Sequence, residues 1–430
     1  MIIFCGPPIP APSNEALATK WSGSVNSPII LVGDTKTMDR DTAVSLAQQA
    51  IKANNRRLVE QVLKIRAERG EQSPEDLPLA SRPLIAVTCS TGWECYAVVD
   101  ELVKTRRFRV RALYRTPGTQ AADRLERLLE RTEAEAPGLL TIHSGVDMNS
   151  SKKLIEAFNG CDGVVLYLTA NEAKAGKITN HGNDPVGGRK AFMRQVAASL
   201  AALKANRSVK QVITLVFPTD KVTGIADKYP EIPWWIDQRL RFSDLLRGEG
   251  INVCTIHRPA YYYGLHRVDY TTNEVQQRGN TAMSKNMIKE NNMPGINEPD
   301  FMVNWVDVRD IGKWCGTVFE YPEVFANERL SIASCAMTGN QAVATAERSN
   351  KHGTKFGYRQ FPQWVMKMIA TFTEEVVYPL RYSQWYNDQG NGYDFASNED
   401  LADLERIHPR WTFEAKLESW GITEIRPGEK

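Results

Sequence analysis

From residue 84 onwards, short apolar runs alternate with segments of helical periodicity, and this alternation restricts the fold more than any other feature. The first run, at 84–88, reads Leu-Ile-Ala-Val-Thr. Such runs are typical of strands that are buried on both faces of a parallel sheet. Further strands are predicted at 109–114, 138–143, 163–168, 211–217 and 252–257, and helices at 96–104, 189–204 and 236–247. The alternation predicts an α/β fold with a doubly wound parallel sheet.

Before the first strand, the chain has two parts of different character. Residues 1 to about 35 are rich in Pro, Ser, Asn and Gly, which predicts an irregular arm with one β-like run at 28–33. Residues 41–70 carry apolar side chains at helical spacing, with Asp41 as a capping residue and Gly70 as a stop. We predict one amphipathic helix that packs on the main domain; docking of a partner protein is the alternative.

Composition excludes several classes of function. Lys and Arg total 53 against 51 Asp and Glu, and a net charge of +2 gives no reason to expect a nucleic-acid partner. Seven irregularly spaced cysteines favour the cytoplasm or another reducing compartment over a disulfide framework. No signal peptide is expected, and no apolar run approaches the roughly 20 residues of a membrane span. The six histidines show no ligand-like pairing, so no metal site is expected.

The turn after the first strand is the most informative segment for function. It reads Cys89-Ser90-Thr91-Gly92-Trp93-Glu94-Cys95. In dinucleotide-binding folds, a glycine-rich turn at this place lets the backbone approach a diphosphate and directs a helix N-terminus at it. Gly92 is the one glycine here, so the motif is weak by itself, and its position between a strand and a helix strengthens it.

Other segments follow in an order that resembles one known family. After the turn come Arg111-Ala112-Leu113-Tyr114-Arg115, then 144–147, 158–164, 250–259, 305–312 and 411–414. Together they resemble the NmrA-like family of atypical short-chain dehydrogenases, from about residue 83 to 421. The resemblance implies a Rossmann-type domain at 83–260, after an N-terminal extension at 1–82. It also implies a smaller C-terminal lobe at 261–430, with a return segment near 301–335 to the core.

The resemblance further implies a dinucleotide site. It places Cys89 and Thr91, Gly92, Trp93 and Glu94 against the diphosphate, Arg115 at the adenosine ribose, Asp147 near the adenine, and Thr169 and Ala170 beside the nicotinamide ribose. Arg115 also has a separate argument, because it ends the second strand about 20 residues past the turn, where an arginine selects a ribose 2′-phosphate. NADP is therefore favoured over NAD; a surface arginine is the alternative.

The turn departs from the family pattern at three positions. Cys89 and Cys95 replace glycines, and a positive φ at Cys89 would cost on the order of 1 kcal/mol or more. Trp93 is bulky beside a diphosphate. We interpret the two cysteines as small fillers, because their spacing is not a recognised dithiol or metal arrangement.

The catalytic positions depart from the pattern as well. Dehydrogenases of this kind commonly place a tyrosine four residues before a lysine, as proton donor and ribose ligand. The family pattern puts Arg239, eleven residues before Gly250, in the lysine place and Trp235 in the tyrosine place. Tryptophan is no proton donor of this type, and arginine relays protons poorly but can bind ribose or phosphate. A phenol from elsewhere, Tyr229 or Tyr261, Tyr262 and Tyr263, could take over.

Three functions from different classes follow. The first is an NADP-fold pseudoenzyme that acts as a regulator, sensor or structural subunit through protein partners or a larger assembly. The second is an NADPH-dependent reductase, an oxidoreductase of a small organic substrate with a rearranged proton donor. The third is a scaffold that binds no nucleotide, with Trp93 in the diphosphate space. Three further segments offer a lid, a pocket or an interface. They are the loop at 180–188, the aromatic residues of 356–393 and an insertion at 384–398.

Overall fold

The structure is a computed structural model, and it describes most of the chain. The described residues are 40–70, 77–168, 171–174, 177–180, 185–216, 242–261, 290–295, 298–360, 362, 364, 398–419 and 421–426. The arm at 1–35, with its β-like run, and most of the 384–398 segment lie outside them. None of the described helices is long and apolar enough to cross a bilayer.

Helices and strands alternate along the described chain much as predicted. The helices are α1 (Arg40–Arg69), α2 (Trp93–Thr105), α3 (Gln120–Glu135), α4 (Ser151–Phe158), α5 (Pro185–Ala205), α6 (described over 242–248), α7 (Val308–Glu320), α8 (Pro322–Phe325), α9 (Gly339–Ser349), α10 (Asn398–Glu405) and α11 (Phe413–Ser419). The first eight strands are β1 (Leu84–Val87), β2 (Arg109–Leu113), β3 (Leu140–His143), β4 (Gly163–Leu166), β5 (Asn171–Lys174), β6 (Lys177–Asn180), β7 (Gln211–Val216) and β8 (Val253–His257). The others are β9 (Ala260–Tyr261), β10 (Asn292–Gly295), β11 (Val303–Val306), β12 (Arg329–Ser331), β13 (Cys335–Met337) and β14 (Gly357–Gln360).

A seven-stranded parallel sheet forms the centre of the fold. Its strand order is β12-β8-β7-β4-β1-β2-β3, and each neighbouring pair is parallel. All six predicted strands belong to it, so the prediction of a doubly wound Rossmann-type sheet is confirmed. The chain direction across the sheet reverses between β1 and β4, which is where such folds bind ligands. The domain boundaries at 82 and 260 stay predictions.

Alternate residues of the strands pack into two separate layers. Ile85 and Val87 lie in the cluster that contains α1, α2 and α7, whereas Leu84 and Ala86 lie in the cluster that contains α4 and α5. This alternation is what a strand buried on both faces produces. Helices α2 and α7 approach so closely that a Cβ on Gly312 would lie 2.7 Å from Cβ of Glu101.

The N-terminal helix covers the open edge of the sheet. Leu58, Val59 and Val62 of α1 are buried in the core, which confirms packing on the main domain rather than display of the apolar stripe. Residues 328 and 332, which flank β12, form backbone hydrogen bonds with β8. The backbone groups of 329 and 331 therefore point away from β8, to the open side of the sheet. The amide of Asn55 donates to the Ser331 carbonyl at 2.6 Å and accepts from its N–H at 3.2 Å. Asn55 therefore pairs with the edge strand as another strand would.

Replacement of Asn55 by alanine is expected to lower the free energy of unfolding by about 2–4 kcal/mol, since two buried backbone groups of Ser331 lose their partner. Urea unfolding followed by circular dichroism measures the change. Asn54→Ala is the matched control, because Asn54 makes a single bond to this strand, to the Arg329 carbonyl, and is half-buried. A loss for Asn55→Ala no larger than for Asn54→Ala would contradict this role.

A buried charge cluster joins the start of α7 to the C-terminal segment. Asp307 caps α7 and accepts from Arg309 Nε at 2.8 Å and from Lys416 Nζ at 3.1 Å. The Lys416 side chain is 2% exposed, and burial lowers its pKa from 10.5 to about 8, although Asp307 opposes this change. Asp310 accepts from the Ser334 hydroxyl at 2.5 Å, and burial raises its pKa. Asp307 and Asp310 thus have a structural role, with a larger set of partners than capping requires.

Small sheets that the sequence analysis does not predict flank the central one. β5 and β6 form an antiparallel pair, β11 pairs with β9 and β13, and β10 pairs with β14. β5 and β6 are short and polar, so an apolar run does not mark them. The two residues that separate them in sequence, Ala175 and Gly176, are the signal that could have identified a hairpin.

Candidate functional site

The turn at 89–95 lies at the carboxyl end of β1, between β2 and β4, next to the point where the sheet reverses direction. Two buried hydroxyls fix it there. The Ser90 hydroxyl donates to the Val87 carbonyl at 2.7 Å and accepts from Leu113 N–H at 3.1 Å. The Thr88 hydroxyl accepts from Tyr167 N–H at 2.8 Å. The turn is therefore held by the ends of both neighbouring strands.

Cys89 adopts the left-handed conformation that the family glycine would favour. Its φ is 53°, and it is half-buried. Its thiol donates to the Tyr167 carbonyl at 3.5 Å, a weak bond. The positive φ makes a cysteine costly at this position, and the turn keeps its shape in spite of the side chain.

Replacement of Cys89 by glycine is expected to raise the free energy of unfolding by about 0.5–1 kcal/mol. The left-handed conformation costs an L-residue about 1–2 kcal/mol, and the greater backbone entropy of glycine in the unfolded chain offsets about 0.5–1 of this. Cys89→Ala is the control, because alanine keeps the Cβ and should gain nothing. Chemical denaturation of both variants measures the difference, and equal stability of the two would contradict the strain.

Gly92 is required for close approach rather than for backbone conformation. Its φ of −71° is ordinary, and an added Cβ would lie 3.2 Å from the Cys89 carbonyl oxygen. It is the N-cap residue of α2, and it offers no side chain to cap the helix. Trp93 begins the helix; the structure describes its backbone only. The N-terminus of a helix of 13 residues is thus presented at the carboxyl edge of the sheet, an arrangement that suits an anion.

An arginine that sequence reasoning missed holds the outer part of the turn. Arg124 of α3 donates to the Thr91 carbonyl at 2.9 Å, and its guanidinium lies 4.8 Å from the centre of the Tyr96 ring. Arg124 is buried. No motif marks it, because its position in α3 depends on the length of the loop after β2.

The carboxylate of Glu94 turns into the protein. It forms an ion pair with the fully buried Arg258, whose Nη2 donates to Oε2 at 2.9 Å and whose Nε also contacts the carboxylate. Arg258 Nη2 lies 3.5 Å from the Tyr167 hydroxyl. The expected contact of Glu94 with a diphosphate is thereby limited to its backbone N–H. Arg258 belongs to the family-like 250–259 segment, but no sequence pattern indicates its partner.

Arg115 follows β2, as predicted, and is half-buried. Within the part of the chain that the structure describes, it has no hydrogen-bond or ion-pair partner, and its Nε is buried. A buried guanidinium nitrogen without an acceptor is costly unless a ligand supplies one. Arg111, from the same motif, has a structural role instead, since its Nη1 donates at 2.8 Å to the carbonyls of Ala157 and Asn159 at the end of α4.

Asp147 lies in the loop after β3, near the same edge of the sheet. Its Oδ1 accepts from the backbone and side-chain nitrogens of Asn149, at 3.0 Å each. These bonds stabilise the loop as an Asx-type turn. The structure therefore brings Cys89, Thr91, Gly92, Glu94 and the backbone of Trp93 together in one turn, with Arg115 and Asp147 in the loops after β2 and β3.

The other predicted site residues lie outside the described part of the chain. They are Thr169, Ala170, Trp235, Arg239 and the alternative phenols Tyr229, Tyr262 and Tyr263; Tyr261 is described by its backbone alone. The loop at 180–188 is described only at its two ends. Tyr167, which directly follows β4, lies beside the turn.

The remaining reactive groups in the described residues do not form a second centre. Six cysteines are free, and burial raises the pKa of Cys95 well above its ordinary value. Burial, with help from Arg329 and Arg247, lowers the pKa of His257 to about 3, so this histidine is neutral at physiological pH. No group of residues able to hold a metal ion occurs within the described ranges.

A parallel doubly wound sheet, a strand-turn-helix unit at its switch point and an arginine after the second strand define a class, the dinucleotide-fold proteins. Solved structures agree on the fold. A nucleoside-diphosphate-sugar epimerase from Staphylococcus aureus matches with 15% identity and a TM-score of 0.53, over 78% of this chain and 99% of that one. NmrA, a negative transcriptional regulator, in complex with NADP, matches with 14% identity and a TM-score of 0.54, over 80% and 96%.

Triphenylmethane reductase from Citrobacter sp., complexed with NADP(H), matches with 15% identity and a TM-score of 0.51, over 78% of this chain and 99% of that one. No curated protein matches by sequence. The family model that matches is the NmrA-like family, over residues 81–418. The chain therefore belongs to the NmrA-like family, and the resemblance inferred from its motifs is confirmed.

Proposed function

We propose that this protein binds NADP(H) at the carboxyl edge of the sheet, with the diphosphate on the 89–95 turn and the 2′-phosphate on Arg115. The observation that carries the proposal is the buried Nε of Arg115, which lacks an acceptor among the described residues. A phosphate oxygen would supply one, in a charge-assisted bond. The N-terminus of α2, bounded by Gly92, favours the negative diphosphate. NADP-bound NmrA and the NADP(H)-bound reductase share the fold, which is consistent with this cofactor.

We further propose that the bound cofactor serves recognition rather than turnover, so that the protein is a regulator, sensor or structural subunit that acts through protein partners. The sequence supports this proposal, because Trp235 and Arg239 stand where a phenol and an amine would assist hydride transfer. The strained Cys89 also supports a recognition role, because the turn keeps its shape although an unfavourable residue occupies this position. One solved relative in fold, NmrA, is described as a negative transcriptional regulator.

A reductase is the second candidate, and Tyr167 is the observation that favours it. This residue directly follows β4 and stands two residues before the predicted nicotinamide-ribose residue Thr169, and its hydroxyl lies 3.5 Å from a guanidinium nitrogen of Arg258. A nearby cation stabilises a phenolate, as the family lysine would. When bound, NADPH would supply the hydride, and Tyr167 would supply the proton.

Two measurements test these proposals in order. Calorimetric titration of the purified full chain is expected to show one NADPH bound per chain, more tightly than NADH; no binding of either would refute the cofactor proposal. Stopped-flow absorbance of NADPH with a panel of carbonyl and enone substrates is then expected to show no consumption. Turnover that depends on Arg239 or Tyr167 would refute the proposal that the cofactor serves recognition alone, and would favour the reductase.

A further inference from the structure

A buried ion pair lies directly behind the 89–95 turn. Glu94 belongs to the first turn of α2, and Arg258 follows β8; the Arg258 side chain is 0% exposed and that of Glu94 7%. Two nitrogens of one guanidinium contact the two carboxylate oxygens, with Nη2 to Oε2 at 2.9 Å. Paired contacts of this type fix the geometry of both side chains.

Arg258 is anchored at the opposite half of the sheet. Its backbone N–H donates to the Val216 carbonyl at the end of β7, at 3.0 Å, and its Nη2 approaches the Tyr167 hydroxyl after β4. Through its backbone and its side chain, Arg258 thus connects the end of β7 and the segment after β4 with the first turn of α2. Both halves of a dinucleotide would lie above these segments.

The charges explain why an arginine is needed at this position. Glu94 is two residues past Gly92, so its carboxylate lies close to where a diphosphate would bind. Like charges repel strongly in a buried site, because little water screens them. Without a cation beside it, the Glu94 carboxylate would oppose the anion that the helix N-terminus attracts.

We propose that Arg258 is a positioning residue for dinucleotide binding: it neutralises Glu94 and holds this carboxylate away from the diphosphate. The inference rests on the proposed function, the binding of NADP(H) at the 89–95 turn. It predicts that removing the arginine alone harms binding, whereas removing both charges does not.

NADPH titration of four proteins tests the coupling: the wild type, Arg258→Gln, Glu94→Gln and the double variant. Arg258→Gln is expected to bind NADPH at least about tenfold more weakly, because the Glu94 charge is no longer compensated. Glu94→Gln, which leaves the Arg258 charge uncompensated, should bind NADPH as tightly as the wild type or more tightly, and the double variant should recover to within about threefold of the wild type. Arg258→Lys, which keeps the cation, should also stay within about threefold.

A second ligand separates this role from a general loss of structure. Adenosine 2′-monophosphate carries the 2′-phosphate but no diphosphate, so its affinity should not change in Arg258→Gln. The inference would be overturned if Arg258→Gln lost affinity for both ligands in parallel or bound NADPH as the wild type does. It would also be overturned if the double variant did not recover its affinity for NADPH. If Arg258→Gln fails to fold, the double variant and Arg258→Lys decide, since weakened NADPH binding in either contradicts the charge argument. Absence of NADPH binding in the wild type would overturn the proposed function together with this inference, whereas wild-type binding that Arg258→Gln leaves intact would overturn the inference alone.

Discussion

Replacement of Asp307 by alanine is expected to lower the free energy of unfolding by about 3–5 kcal/mol, because the buried Lys416 ammonium loses its counter-charge. Lys416, a buried residue of α11, has its Nζ 3.1 Å from Asp307 Oδ2. Asp307 also accepts from the backbone N–H of Arg309 at the start of α7 at 3.0 Å, and loss of such a cap contributes about 1 kcal/mol to the effect. Urea or thermal unfolding of the purified chain measures the change.

Two further variants show whether the loss comes from the uncompensated charge. Asp307→Asn combined with Lys416→Met removes both buried charges and should recover most of the stability, because a neutral pair of similar volume avoids the desolvation of two ions. Asp403→Ala is the control for removal of a carboxylate, since its pair with Arg406 is 3.7 Å long and partly exposed. A loss for Asp307→Ala as small as for Asp403→Ala would contradict this explanation.

Replacement of Arg115 by alanine is expected to weaken NADPH binding by about ten- to hundredfold, the effect of losing a charge-assisted bond to a phosphate. NADH binding should change little, because NADH has no 2′-phosphate. Arg115→Ala should therefore remove the preference between the two cofactors. Parallel calorimetric titrations with NADPH and NADH measure this preference.

Arg127→Ala is the matched control for Arg115→Ala, because it removes the same charge from an exposed position on α3. It should leave the preference for NADPH intact. An unchanged preference in Arg115→Ala would place the 2′-phosphate elsewhere and return Arg115 to a surface role. If Arg115→Ala and Arg127→Ala lowered the preference for NADPH equally, the effect would come from the general loss of positive charge instead.

The sequence predicted the central fold well, because the interior strands carry their own signal. Strands such as β1, at 84–87, are buried on both faces and continuously apolar. The long helix α1 ended at Gly70 as predicted, where φ is +70°. β12 was missed because it has only three residues and lies at the sheet edge, where Asn54 and Asn55 of α1 replace a neighbouring strand.

Of the candidate site, the sequence predicted the backbone frame but not the side-chain contacts. The position of the turn and of Arg115 follows from strand order, which a local pattern can reveal. The partners of Glu94 and of Thr91 lie 164 and 33 residues away in the chain, and such contacts depend on tertiary packing. For that reason the pattern placed Glu94 against a diphosphate, whereas its carboxylate pairs with Arg258.

The proposed function depends on the binding of a dinucleotide diphosphate on the 89–95 turn. Hydrogen–deuterium exchange of the full chain, with and without NADPH, tests this directly by mass spectrometry of peptides. We expect slower amide exchange in peptides that span 89–95 and the segment around Arg115, because the ligand covers the N-terminus of α2. Protection confined to other segments, at saturating NADPH, would contradict it.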